Sequence, residues 1–283
     1  MNLMMMKTES DFPSRHWGEL MQRWHRILGR VSFVNCDPIY HDLPDDWDVL
    51  SAPPAWLTGH LLRKDCLVAP IPAADFASNA DQLQLLSGVG IASKGAVGSV
   101  LLFGDRDPSQ MRDIALPTDS ATSRRLLMHL LGLMGLEPRP VDMGPDLGQM
   151  LERCDGALLI GDRALDEATR HPEWIRMDLG QAWQDQTGLP MVFGVFAAHR
   201  DAPAEQVAKA HALLMHQLDA FENDPDRRRA VVRSTAERSG FHPDRIERYF
   251  GEVIHRLDQE ACEGLERFLK DVCGIENWQS VSL

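Results

Sequence analysis

Long apolar runs are missing from this sequence. No stretch reaches the roughly 20 consecutive apolar residues that a membrane span needs. The first thirty residues hold Met runs, but Lys7, Glu9, Asp11, Arg15, His16 and Glu19 break the uninterrupted apolar core that a signal peptide requires. Cysteine is scarce and unpatterned: Cys36, Cys66, Cys154, Cys262 and Cys273 are an odd number with no C-x-x-C pair, which fits reduced thiols better than a disulfide framework. The 11 histidines include no H-x-x-x-H or H-E-x-x-H spacing, and there is no G-x-G-x-x-G phosphate loop, so neither a metal nor an organic cofactor is expected. Positive charge is short as well, with 29 Lys plus Arg against 42 Asp plus Glu and a formal net charge of -13. That balance works against nucleic acid and anionic membranes as partners, while a cleft can still focus backbone dipoles on a small anion. A cytoplasmic protein with a small-molecule partner is expected; its oligomeric state is left open.

What the 283 residues do contain is an alternation of short apolar runs with longer helical patterns from Arg30 onward, the mark of an α/β fold with a largely parallel sheet. Expected strands are Val31–Val34, Asp48–Ser51, Cys66–Ile71, Leu83–Ile91, Val97–Phe103, Ile114–Pro117, Arg139–Met143, Ala157–Ile160 and Met191–Ala198. The clearest helix is Thr118–Met134, with Leu126, Leu127, Leu130, Leu131 and Met134 at helical spacing and Gly135 just past its end. After Arg200 only helices are expected, closing on an apolar stripe of Ile254, Leu257, Ala261, Leu265, Phe268, Leu269 and Val272. Trp17, Leu20, Met21 and Trp24 suggest an amphipathic helix in an N-terminal extension over residues 1–27. Two extended runs, Val97–Phe103 and Leu189–Ala198, bracket a block with its own strands and helices. They imply one lobe inserted into another, residues 104–196 within 28–103 plus 197–283, with a ligand cleft between them.

A series of motifs runs through this frame: Arg30-Val-Ser-Phe-Val-Asn35-Cys-Asp-Pro38, then Val68-Ala-Pro-Ile71 with Asp75-Phe-Ala-Ser-Asn-Ala-Asp81, then Gly95-Ala-Val-Gly-Ser99-Val. Asp119-Ser-Ala-Thr-Ser123, Ala157-Leu-Leu-Ile-Gly-Asp162 and Trp183 with Thr187-Gly-Leu-Pro190-Met-Val-Phe193 follow. In this order over roughly residues 30 to 200, the set resembles the chorismate dehydratases that start the futalosine route to menaquinone. The resemblance implies a two-lobed, periplasmic-binding-protein-like fold of the two-hinge type. It also implies a lyase activity that converts chorismate to 3-[(1-carboxyvinyl)oxy]benzoate. The chain departs from the pattern at Lys94-Gly95-Ala96, where the family often has Asp-Gly-Pro.

Two residues are candidates for catalysis. Asn35 follows an expected strand, where open α/β sheets place ligands, and its amide offers both a donor and an acceptor. An Asx turn is the alternative, and the resemblance favours function, because the family's functional Asn falls here. Ser99, by the same match, is placed to assist the leaving hydroxyl; the alternative is a small residue packed at a hinge. Ser120, Thr122 and Ser123 open a helix, where hydroxyls and free N–H groups make either a carboxylate cradle or ordinary caps. Arg124 and Arg125 stand near enough to strengthen that field, with a solvated surface role expected for at least one of them. Gly161, Asp162 and Gly188 are expected at the cleft edge, Asp162 either bracing a loop or touching substrate. His171, His199 and His211 lie outside the motifs and are expected to be satisfied or solvent-facing. Trp183 and Phe193 suit the core, although one aromatic wall would serve a flat product.

No Glu, His or Lys base stands among the motifs, so a substrate carboxylate is the expected proton acceptor. The rivals are the related 1,4-dihydroxy-6-naphthoate synthase, which should show a nucleophile or base in the cleft, and a non-catalytic small-anion binding protein.

Overall fold

The computed structural model describes residues 23–275. The expected N-terminal helix lies outside them, apart from a 3-10 turn at Arg23–Arg26. The first sheet begins with β1 (Ile27–Val31), β2 (Asp48–Ala52), β3 (Val68–Pro72) and β4 (Leu83–Ser93). The helices α1 (Asp37–Tyr40), α2 (Pro54–Leu62) and α3 (Ala73–Ser78) follow β1, β2 and β3 in turn. The chain then builds a second sheet from β5 (Val100–Gly104), β6 (Asp113–Pro117), β7 (Arg139–Met143), β8 (Gly156–Ile160) and β9 (Ile175–Asp178). Here α4 (Ala121–Leu133), α5 (Leu147–Arg153), α6 (Gly161–Arg170) and α7 (Leu179–Thr187) follow β6, β7, β8 and β9. The return strand β10 (Met191–His199) rejoins the first sheet. The chain closes with α8 (Ala204–Asn223), α9 (Pro225–Ser239), α10 (Pro243–Glu252), β11 (Ile254–Arg256) and α11 (Gln259–Asp271).

The sheet orders are β2-β1-β3-β10-β4-β11 and β7-β6-β8-β5-β9. In each, three neighbouring strands run parallel and the strand arriving from the other lobe is antiparallel to those beside it. The apolar runs explain why these segments pair: every residue of β3, β5 and β8 is buried, as strands covered on both faces require. Gly29 lets β1 close on its neighbours, because a Cβ there would stand 2.4 Å from that of Ala69. The main core spans both lobes, with a smaller cluster of Leu101, Phe103, Leu147, Met150 and Leu159 under the second sheet.

The structure changes several expected boundaries. The first strand ends at Val31, and Val34–Cys36 forms a 3-10 turn leading into α1, whose first turn holds Pro38. Neither extended run crosses the lobes as one strand, since β5 pairs wholly within the second sheet and β10 wholly within the first. The crossings fall at residues 94–99 and 188–190, rather than near 104 and 196. Gly95 and Gly98 have φ of +90° and +67°, and Gly188 has +74°, conformations outside any strand. Asp178 secures the first crossing: its carboxylate accepts from the N–H groups of Val97 and Gly98, at 3.1 and 2.8 Å, and from those of Gly180 and Gln181 at the start of α7. Lys94, at the departure from the family pattern, pairs with Glu260 at 2.6 Å. The segment after Arg200 is not all helix, for Ile254–Arg256 pairs with β4 as the edge of the first sheet. No helix among the described residues is long and apolar enough to cross a membrane.

Candidate active site

Equivalent ends of the two sheets meet around one pocket, with about 560 Å³ of atom-free space when the open solvent at its mouth is included. From the first lobe come Val31, Phe33 and Asn35 after β1, Pro54 at α2, Pro70 to Pro72 at the end of β3, and Phe193 and Gly194 at the start of β10. From the second come Ser99 and Val100 at β5, Ser120, Thr122 and Ser123 after β6, and Ile160 and Gly161 after β8. Among the described residues the wall is mostly apolar and carries no charged side chain, with a few polar groups set into it, the usual make-up of a small-molecule site.

Asn35, Ser99, Ser120, Thr122, Ser123 and Gly161 are thus brought together. Asn35 is not an Asx-turn residue: its side-chain Oδ1 is buried and has no hydrogen-bond partner among the described residues. Such an acceptor is costly unless something else fills it. Its backbone oxygen accepts from His255 Nε2 at 2.6 Å. Ser99 is buried, and its Oγ accepts from the Tyr249 hydroxyl at 2.9 Å. Ser120 occupies the N-cap position of α4 yet makes no side-chain cap bond, so its hydroxyl stays available at the positive end of a 13-residue helix.

Thr122 works between the lobes, its Oγ1 accepting from Ala74 N at 3.1 Å. Asp162 does not line the pocket. Its Oδ1 accepts from Val34 N at 2.9 Å, so it braces the Asn35 turn from the opposite lobe. Burial pushes the Asp162 carboxyl above its usual range, and the Val34 N–H bond offsets part of that. Gly161 has φ of +61°, and a Cβ there would sit 2.5 Å from the Phe33 ring, so glycine is what lets this aromatic side chain close over the second lobe. Gly188 corrects the expectation: it is exposed, ends α7 in the left-handed conformation and does not line the pocket. Arg124 pairs with Asp142, and Arg125 donates to Ser78 Oγ at 3.2 Å; neither lines the pocket.

Trp183 is fully buried and donates to Pro190 O, while Phe193 supplies aromatic surface to the pocket. His171 stacks on Trp174, His199 lies against Asp201, and His211 Nε2 meets Ser87 O at 2.8 Å. Sequence reasoning missed Tyr249 and His255, which stand directly behind Ser99 and Asn35. Both are buried; burial pushes the Tyr249 hydroxyl up and the His255 imidazole down to about 4. Tyr249 is buried on α10, and no local signal in the sequence pointed it at Ser99.

Residues 27–272 match the family model described as menaquinone biosynthesis. A chorismate dehydratase of Thermus thermophilus is 31% identical over 258 residues, covering 86% of this chain and 93% of that protein. A crystal structure of an Archaeoglobus fulgidus protein superposes with a TM-score of 0.71 at 16% identity, covering 88% of this chain and 96% of that one. A Candida albicans protein described as having the generic periplasmic binding protein fold gives 0.64 at 10% identity, with 91% and 95% covered. These likenesses show a periplasmic-binding-protein-like fold.

Proposed function

This chain belongs to the menaquinone biosynthesis family, and from that premise we propose that it is a lyase that removes water from chorismate, giving 3-[(1-carboxyvinyl)oxy]benzoate in the futalosine route. The observation that carries the reading is the pairing of an unfilled, buried Asn35 Oδ1 with the hydroxyl-rich start of α4 in one uncharged pocket. Chorismate brings what that pocket lacks: a hydroxyl to donate to Asn35 and carboxylates for the N–H groups and hydroxyls at Ser120 to Ser123.

In the elimination, the C3 proton leaves to a base, its electron pair forms the new ring double bond, and the C4 hydroxyl departs to become water. The ring becomes aromatic, which supplies the driving force. Since no carboxylate, imidazole or amine side chain among the described residues lines the pocket, a substrate carboxylate is the acceptor of the C3 proton. The protein's part is to hold that carboxylate beside C3 and to exclude water. Ser99, whose Oγ already accepts from Tyr249, keeps its own O–H free to hydrogen-bond the departing hydroxyl, and the proton taken from C3 completes the water. Phe33 and Phe193 face the ring as it flattens. The five unpaired cysteines support a reducing, cytoplasmic setting.

The test is direct. Purified protein mixed with chorismate should give a product lighter by one water, with the ultraviolet spectrum of a substituted benzoate. Binding of the benzoate without turnover of chorismate would instead make this a small-anion binding protein.

A further inference from the structure

One short stretch near the end of the chain reaches both candidate catalytic residues from behind. Tyr249 is on α10 and His255 on β11, and neither lines the pocket. The Tyr249 hydroxyl donates to Ser99 Oγ at 2.9 Å, and His255 Nε2 meets Asn35 O at 2.6 Å. A carbonyl oxygen only accepts, so Nε2 carries the proton in this contact.

We propose that Tyr249 and His255 are positioning residues: the α10–β11 segment holds Ser99 and Asn35 in their working geometry and thereby joins the C-terminal helices to catalysis. The inference rests on the functional reading above. A hydroxyl held on its oxygen by a donor keeps one proton and one direction for it, so Tyr249 orients the Ser99 O–H toward the pocket. Asn35 sits in a 3-10 turn of only three residues, Val34–Cys36, held at Val34 N by Asp162 from one lobe and at Asn35 O by His255. Two anchors on adjacent residues fix the direction of the amide between them. The second anchor depends on β11, which reaches its place by antiparallel pairing with β4, Ile254 opposite Ala92 and Arg256 opposite Val89.

The experiment uses the full chain and steady-state turnover of chorismate. Tyr249→Phe, which removes only the hydroxyl, should lower kcat about tenfold with KM within about twofold of wild type. His255→Gln keeps an N–H donor and should retain most of kcat, while His255→Leu should lose about tenfold. If His255→Leu does not fold, His255→Asn, whose amide is too short to span the gap, takes its place. Wild-type kcat in Tyr249→Phe, or no difference between His255→Gln and the variant lacking the donor, would overturn the proposal. If wild type itself fails to turn over chorismate, the functional reading falls. Crystal structures of Tyr249→Phe and His255→Gln then decide the bracing separately. A dispersed Ser99 rotamer beside an unmoved Asn35 turn supports it, and an unchanged Ser99 overturns it.

Discussion

The two lobes repeat one strand order but arm the repeated positions differently. Read from β2 and from β7, the sheets place equivalent strands β1 and β6, β2 and β7, β3 and β8, β10 and β5, and β4 and β9 in the same sequence. In both, the loops after the first and third strands of the set open onto the shared pocket. The first lobe puts a short 3-10 turn there, with a single amide at Asn35. The second puts the start of a long helix, with three hydroxyl residues. The first lobe therefore presents one amide, a donor and an acceptor together, to the pocket. The other offers a diffuse positive end suited to an anion. The first lobe also carries four further helices and an edge strand, and this addition is what supports its site turn.

The largest test of this division of labour is Asn35→Ala. If the amide acts in the transition state, turnover should fall about a hundredfold to a thousandfold, a loss of roughly 2.7 to 4 kcal/mol. The denaturant midpoint should hold or rise, because an unfilled buried acceptor is removed. Rate measurements paired with urea unfolding check both, and near-normal turnover would leave the second lobe as the only armed one.

Next in size is a pH effect confined to the first lobe. His255 has an imidazole lowered from its ordinary 6.5 to about 4, so it is neutral in the folded protein while the unfolded chain binds its proton more readily. Its contribution to stability is whole above pH 6.5 and is lost as pH falls from 6.5 toward 4, by about 3 kcal/mol in all. The raised Asp162 carboxyl acts in the opposite sense over acidic pH. Comparing unfolding of wild type and His255→Gln across this window isolates the histidine, and parallel curves would refute its buried neutral state.

Thr122→Val then probes the contact between lobes. It leaves the Ala74 N–H without its partner and should cost about 1 to 3 kcal/mol, seen as a higher KM for chorismate and a looser particle in solution scattering. Smallest is Gly188→Ala, at a left-handed helix end away from the pocket. It should lower stability by about 1 kcal/mol and leave turnover unchanged. A loss of turnover there would restore Gly188 to the site.

Much of this arrangement was legible before folding is considered. Runs such as Ala157–Ile160 and the spaced leucines of α4 announce their elements locally, because burial on two faces or one stripe demands those patterns. Asn35, Ser99, Ser120, Thr122 and Ser123 stood in motifs that resemble the family's, and all line one pocket. The element edges were less legible. Val31 to Val34 is as apolar as a strand, yet it turns at Phe33; Gly98 interrupts the first extended run with a positive φ, and Gly188 stands with one just before the second. The three-residue strand β11 is too short for any period to show, and so its histidine went unnoticed.

The sequence by itself determined most of the elements and their order, which follow from patterns within a few neighbouring residues, and its resemblance to the family pointed to several of the polar residues that line the pocket. Only the tertiary structure decided which groups stand behind them. Tyr249 lies 150 positions from Ser99, and His255 220 positions from Asn35. A hydrogen bond over such a separation leaves no local trace, because it exists only when the packing of sheets and helices brings the two ends within 3 Å.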